Sequence, residues 1–122
     1  MLLPQRGELW WADLDEAGQR PVVVLSRDAA IRGRRRAMVA ACSTIVRGLP
    51  SEVRLEPGDD PVSRPCVVQL DAVVDLSARV LVRRLGRLSE SRLREVCSAL
   101  AVATAANGRS DRHVRGRVSA RS

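Results

Sequence analysis

Short apolar runs alternate with clusters of turn-forming residues along the first two thirds of the chain. Each run has a strand's length, and Gly, Pro, Asp or Ser flank it. The pattern predicts strands at Gly7–Leu14, Arg20–Ser26, Ala37–Ser43, Glu52–Glu56, Pro65–Leu76 and Arg79–Leu88. We expect the fifth strand to be broken or bent around Asp71. The segment Arg27–Arg36 is predicted to be a loop with room for one helical turn.

The hydrophobic period changes to that of a helix after Ser89. Apolar residues there recur at helical spacing: Leu93, Val96, Cys97, Leu100 and Ala101. Charged residues take the opposite face: Arg92, Arg94 and Glu95. Ser89 is predicted to cap the helix, and Asn107–Gly108 to end it.

A run of strands followed by one helix indicates an α+β domain, with a small curled sheet or partly open barrel under the helix. The connections are too short for crossover helices, so we expect antiparallel pairing. We assign residues 1–106 to this domain. Residues 107–122 are rich in Gly, Ser and Arg, so we expect a basic, disordered tail.

The composition adds a strong positive charge. The chain has 122 residues and a net charge of +7, and all 21 basic residues are arginines. A polyanion or an acidic partner protein would suit such a domain, although an arginine-rich solvated surface is the plainer explanation. Five arginines in the tail, against Asp111 alone, carry +4 of that charge.

The cysteine pattern and the N-terminal sequence bear on metal binding and on the compartment of the protein. Cys42, Cys66 and Cys97 show no CxxC spacing, and the single histidine, His113, lies in the tail, so a structural zinc site is not expected. An odd number of cysteines without a secretion signal favours reduced thiols in a cytoplasmic protein. No apolar stretch is long enough to span a membrane.

Familiar catalytic patterns are missing. The chain has neither a GxxxxGK[ST] phosphate loop nor a GxSxG elbow, and residues 1–106 contain no histidine. An enzyme built from arginines, carboxylates and hydroxyls suits phosphate chemistry. An RNA 2′-hydroxyl can attack its own neighbouring phosphate, so the protein needs only to orient the backbone and stabilise charge, without a required metal.

Several segments together resemble the MazF/PemK (Kid) family of toxin endoribonucleases. The matching segments, in order, are RGELWWADLD, QRPVVVLS, VAACST, RGLPSEVRL, CVVQLDAVVDL and RRLGRLSESRLREVCSAL. They cover roughly residues 6–103. The resemblance implies a small SH3-like, mostly antiparallel β-barrel with a C-terminal helix, as in CcdB and MazF, and usually a homodimer.

The same resemblance implies an activity and partners. Family members cleave single-stranded RNA, chiefly mRNA with tRNA and rRNA also open, without a metal or other cofactor. Attack by the 2′-hydroxyl would leave a 2′,3′-cyclic phosphate and a 5′-hydroxyl. The implied partner is a cognate antitoxin with a disordered inhibitory segment, through which the toxin would reach operator DNA indirectly.

The resemblance carries the family's essential arginine onto Arg20 and its essential hydroxyl onto Ser43, with Thr44 able to share that role. Without the resemblance, Arg20 would be a surface arginine and Ser43 a strand-end cap. Further RNA-binding or secondary catalytic candidates are Asp71, Gln69, Arg47 and Glu16. For Glu16, a solvated acidic turn is the alternative. Trp10 and Trp11 should point to opposite faces of their strand, one into the core and one towards a base or a dimer interface.

A non-catalytic module is the alternative function. CcdB shares the implied barrel and inhibits gyrase through a C-terminal Trp-Gly-Ile end, whereas this chain ends in RVSARS. That ending argues against the gyrase mode, and the alternative stays a non-catalytic CcdB-like inhibitor or an RNA-binding module.

Overall fold

A computed structural model of the chain describes residues 3–15 and 18–114, with side chains described as far as residue 105. The helices and strands are, in order, β1 Glu8–Asp13, β2 Gln19–Val24, α1 Asp28–Arg34, β3 Arg36–Ser43, β4 Glu52–Leu55, β5 Cys66–Ser77, β6 Leu81–Arg87 and α2 Glu90–Val114. A 3₁₀ turn at Ala78–Val80 joins β5 to β6. All the predicted strands are confirmed, close to their predicted bounds.

The strands form one antiparallel sheet in the order β4-β5-β3-β2-β1-β6. The sheet curls into a half-barrel, which confirms the predicted α+β, SH3-like class. The bend predicted at Asp71 is also confirmed. Between Ala40↔Val73 and Cys42↔Val68 the register of β3 and β5 shifts, so β5 bulges over Gln69–Ala72.

The apolar core consists of two clusters. Val23 and Ala40 belong to the first, together with residues of α2 such as Val96. Val22 and Val24 belong to the second, which contains Trp10, Val39 and Ile31 of α1. Because consecutive residues of β2 enter different clusters, the strand is buried on both faces, and its sequence is a continuous apolar run rather than an alternation.

The segment predicted as a loop with one helical turn is mostly helix. Helix α1 covers Asp28–Arg34, and Ile31 is fully buried in the second cluster. Arg35 ends the helix in the left-handed region at φ 55°, and its amide donates to the Ile31 carbonyl. Ile31 is the buried residue of α1, and its burial against distant strands, which the local pattern does not show, anchors the helix.

Helix α2 begins as predicted and continues further than predicted. The Ser89 hydroxyl accepts a hydrogen bond from the Arg92 amide at 3.1 Å, which confirms the cap. The stop predicted at Asn107–Gly108 is wrong, since the helix runs to Val114. Ala101 is exposed while Ala99 and Ala103 are buried. The predicted tail, residues 107–122, begins within this helix, and its residues 115–122 lie outside the described part of the chain.

None of the described helices is long and apolar enough to cross a membrane.

Candidate active site

A cleft of about 440 Å³ opens where the start of β2, the end of β3 and the start of β5 meet. The antiparallel register brings these three strand ends together. The loop before β5 closes the cleft on one side. Its lining residues are Trp11, Gln19, Arg20, Pro21, Cys42, Ser43, Thr44, Ile45, Val62, Ser63, Arg64 and Cys66. Three of the predicted site residues, Arg20, Ser43 and Thr44, therefore share one cleft.

Arg20 is the second residue of β2, and strands on both sides of β2 fix its backbone. It pairs with Ala12 of β1 on one side. Continuing the β2–β3 register two residues past Val22↔Ala41 brings it opposite Ser43 on the other. Its Nε atom is buried and has no hydrogen-bond partner among the described residues. A buried charged donor without an acceptor is costly, and an anionic ligand in the cleft that Arg20 lines would supply the missing acceptor.

Ser43 ends β3 and also caps the following turn. Its Oγ accepts a hydrogen bond from the Ile45 amide at 3.1 Å. This is the strand-end cap considered as the plainer role, and it leaves the hydroxyl hydrogen free to donate into the cleft. Thr44 is exposed beside it. The cap therefore fixes the Ser43 oxygen without using up its donor.

The two tryptophans have separate environments. Trp10 is buried in the core, where its Nε1 donates to Glu8 Oε1 at 2.9 Å. Trp11 is half-buried and lines the cleft, with its Nε1 donating to Gln19 Oε1 at 2.6 Å. The prediction of one core and one surface tryptophan is confirmed, and Trp11 is the one placed where a base could stack.

A second polar cluster lies in the loop after β3 and does not line the cleft. Arg47 Nη2 is 3.4 Å from Asp71 Oδ2, and Arg47 Nε is 3.3 Å from Glu52 Oε2. The Glu52 carboxylate also accepts hydrogen bonds from the amides of Arg47, Gly48 and Leu49. Burial alone would raise the Glu52 pKa, but these donors outweigh it and leave the pKa below its ordinary value.

The remaining predicted site residues lie beside this second cluster, except Glu16. Gln69 pairs with Glu52 across β4 and β5 and is half-buried. Asp71 lies on the β5 bulge and is exposed. Glu16 lies outside the described residues. The structure thus separates the predicted residues into a cleft group and a loop group.

The wall of the cleft opposite Arg20 is the loop between β4 and β5, which two contacts hold in place. Arg92 of α2 binds Asp60 through Nε at 3.1 Å and Nη2 at 3.0 Å, and the Asp60 side chain is 1% exposed. A Cβ atom at Gly86 would lie 2.4 Å from Pro61 Cβ, so only glycine allows this approach. Arg92, predicted on the solvent face, is instead a structural anchor.

Arg64 in this wall is a site residue that the sequence analysis missed. It precedes Pro65 and an apolar strand, just as Arg20 precedes Pro21 and the apolar run of β2. Both arginines line the cleft, and none of the described residues that line it is a carboxylate or a histidine. The described part of the lining therefore carries a net positive charge, which favours binding of a phosphate backbone.

Solved structures share this fold and indicate its class. The chain superimposes on an endoribonuclease in complex with its cognate antitoxin from a mycobacterial species, with a TM-score of 0.76 and 26% identity over 84% of this chain and 95% of that one. A MazE–MazF crystal structure from Deinococcus radiodurans gives 0.73 and 27%, over 85% and 97%. The fold is that of a MazF-type toxin.

Sequence comparison then identifies the family. The family model described as "PemK-like, MazF-like toxin of type II toxin-antitoxin system" matches residues 5–104. A protein named "Probable endoribonuclease MazF5" from Mycobacterium tuberculosis is 60% identical over 101 residues, which are 83% of this chain and 93% of that protein. The chain belongs to the PemK-like, MazF-like toxins of type II toxin–antitoxin systems, as the resemblance predicted.

Proposed function

We propose that this toxin is a metal-independent endoribonuclease that cleaves single-stranded RNA, chiefly mRNA, at short preferred sequences. The observation that carries the proposal is the Nε of Arg20, which is buried without a hydrogen-bond partner among the described residues, beside a cleft whose described lining holds two arginines and no carboxylate. The two arginines of such a site attract the negatively charged phosphodiester. Relatives named as endoribonucleases support the same activity.

In the proposed reaction the RNA supplies its own nucleophile. The 2′-oxygen attacks the adjacent phosphorus, the bond to the 5′-oxygen breaks, and the products are a 2′,3′-cyclic phosphate and a 5′-hydroxyl. Arg20 stabilises the charge that develops on the phosphorane and hydrogen-bonds the leaving oxygen as it takes up a proton. Ser43 donates its free hydroxyl hydrogen to a non-bridging oxygen, and Thr44 is the second candidate for that contact.

The loop group acts on the RNA beyond the scissile phosphate. Asp71 is outside the cleft lining and already pairs with Arg47, so we assign it to orientation of the RNA rather than to proton transfer. Arg47 and Gln69 bind the same stretch, and Glu16 remains a secondary candidate. The 2′-hydroxyl proton then leaves to a phosphate oxygen or to water, because none of the described residues that line the cleft is a carboxylate or a histidine.

Cleavage of a labelled RNA in EDTA tests the proposal. We expect wild-type protein to give fragments whose 5′ ends are hydroxyls, open to direct labelling by polynucleotide kinase, and whose 3′ ends resist phosphatase until the cyclic phosphate is opened. Arg20→Ala should lower the rate by more than about 10²-fold. The matched control is Arg36→Ala, an exposed arginine at the other end of β3 that pairs with Asp75.

Each contrary outcome has a distinct meaning. Full activity of Arg20→Ala would remove that residue from the mechanism, and loss of activity in EDTA alone would require a metal. Tight RNA binding without cleavage would leave the alternative, an RNA-binding module or a CcdB-like inhibitor.

The partners follow from the same cleft. We propose that a cognate antitoxin covers it with a disordered, acidic or amphipathic segment that competes with RNA, and that the antitoxin links the toxin to operator DNA. The solved relatives bound to antitoxins support a partner of this kind. We further propose a homodimer, which light scattering of the purified toxin would test. Simultaneous binding of RNA and antitoxin would contradict the competition.

A further inference from the structure

Two cysteines that the proposed mechanism does not use lie side by side in the cleft. Cys42 faces Val68 across β3 and β5, and Cys66 is two residues from Val68 on the same face of β5. Both belong to the first core cluster, with exposures of 4% and 6%, and both line the cleft. Their diagonal position across neighbouring antiparallel strands brings the two side chains together.

The two thiols differ in the direction in which their pKa values are shifted, and this difference sets which one is the nucleophile. The hydrogen bond between them is the main cause in both cases, and it lowers the pKa of Cys66 while raising that of Cys42. Burial raises both, and the charges of Asp60 and Glu56 oppose the ionisation of Cys66. Cys66 is therefore the thiol that ionises first, with Cys42 donating to it.

We propose that Cys42 and Cys66 are an oxidation site that closes a reversible disulfide inside the cleft and thereby switches off RNA cleavage. The inference of a disulfide depends only on the positions of the two cysteines, whereas its effect on cleavage rests on the proposed function. Disulfides of this kind in reducing compartments are characteristically transient and redox-sensing.

A peroxide is the oxidant that balances the reaction. The Cys66 thiolate attacks one peroxide oxygen, the O–O bond breaks, and the product is a sulfenic acid with release of hydroxide, which takes up a proton. The Cys42 sulfur then attacks the Cys66 sulfur, the S–O bond breaks, and water leaves. Overall, two thiols and one hydrogen peroxide give one disulfide and two waters. A thiol reductant reverses the change.

Closing this bond moves the catalytic end of β3. Diagonal residues across antiparallel strands are typically about 7–8 Å apart at Cα, whereas a disulfide spans at most about 6.8 Å. The bridge therefore pulls Cys42 towards β5, and Ser43 follows as its chain neighbour. A displacement of about 1 Å at a reacting centre costs on the order of 10²-fold in rate.

Mass spectrometry tests the disulfide independently of activity. In a Cys97→Ser background, treatment with hydrogen peroxide should lower the mass by two hydrogens and yield a Cys42–Cys66 linked peptide that a thiol reductant releases. Cys97 lies on α2, where its Sγ accepts a hydrogen bond from Arg6 at 3.3 Å, so its removal leaves the pair intact. A peroxide-treated protein whose two thiols stay free, or are over-oxidised without a bridge, would overturn the proposal.

Cleavage assays of the same samples test the switch. We expect at least about a tenfold loss of rate on oxidation, recovery with reductant, and no loss in Cys66→Ser or Cys42→Ala within the same background. The two single variants guard against a folding defect in either one. A linked peptide with unchanged cleavage would overturn the switch and leave the disulfide standing. If reduced wild-type protein does not cleave RNA, the proposed function fails while the mass result still decides the disulfide.

Discussion

At the scale of single residues, the cleft combines one fixed arginine with one exposed arginine. Arg20 is built into β2, and its buried Nε cannot relax towards solvent. Arg64 is exposed on a loop and follows its ligand more freely. Because a rigid donor can be matched to a transition state and a mobile one cannot, the two should affect different kinetic constants.

Arg64→Ala is expected to weaken RNA binding with little change in kcat. An uncleavable RNA, methylated at the 2′-oxygen, allows binding to be measured against salt. Loss of one phosphate contact should reduce the slope of log affinity against log salt by about 0.7. Arg79→Ala, an exposed arginine in the 3₁₀ turn, is the control. An unchanged slope in Arg64→Ala would place this side chain away from the bound RNA.

Ser43 and Thr44 are distinguished by separate substitutions. Ser43→Ala removes both the proposed donor and the cap on the Ile45 amide, so we expect the rate to fall by about 10²-fold or more, as for a lost oxyanion donor. Thr44→Ala leaves the cap intact and should fall less. A larger loss in Thr44→Ala, measured in single turnovers, would transfer the catalytic hydroxyl to Thr44.

At the scale of elements, the site depends on how loops are attached to the sheet and to α2. The loop between β4 and β5 forms a cleft wall only because Asp60 binds Arg92 and Pro61 packs against Gly86. The loop after β3 is organised by one carboxylate, Glu52, that gathers successive backbone amides. Strands supply the rigid ends of the cleft, and these anchors position its walls.

Gly86→Ala is expected to destabilise the protein by about 1–3 kcal/mol, because the new methyl would overlap Pro61. Urea denaturation measures this change, and a raised KM for RNA should accompany it as the wall shifts. Gly33→Ala is the matched control. Nothing lies within 4 Å of a Cβ at Gly33 in α1, so the same substitution should stabilise by up to about 1 kcal/mol. Equal effects of both substitutions would contradict the packing argument.

At the scale of the whole molecule, two carboxylates with lowered pKa values make the stability of the fold depend on pH. Burial raises the pKa of Glu8, but hydrogen bonds from Trp10, Arg84 and the Gln5 amide outweigh it and leave the pKa below its ordinary value of 4.5. Glu52 behaves likewise. A depressed pKa in the folded state means that these carboxylates stabilise the fold above their unfolded pKa, and that this contribution disappears as the pH falls through the folded pKa.

We therefore expect the free energy of unfolding to be steady near neutral pH and to decline from about pH 5 downwards. Glu8→Gln and Glu52→Gln should each flatten that decline, as measured by thermal melts from pH 7 to pH 3. Asp13→Asn at the exposed end of β1 serves as the control. A decline of equal slope in all the variants would show that general charge repulsion, rather than these two side chains, sets the acid limit.

Local pattern predicted the strands, the bend at Asp71 and the Ser89 cap because each depends on neighbouring residues. It predicted a single helical turn where α1 lies, because the helix is held by the burial of Ile31 beneath distant strands. It could not choose between Trp10 and Trp11, because the choice depends on Glu8 and Arg84 meeting across β1 and β6. Arg64 was within reach, since its Arg-Pro-strand pattern repeats that of Arg20.

The attachment of the cleft wall to α2 also sets the moment at which a newly made chain acquires its site. The sheet is complete only when β6 pairs with β1, and the wall is fixed only when Arg92 reaches Asp60. Both partners come late in translation. A growing polypeptide on the ribosome therefore lacks a finished cleft until the first turn of α2 has been synthesised, and strands β1 to β5 alone cannot form the site.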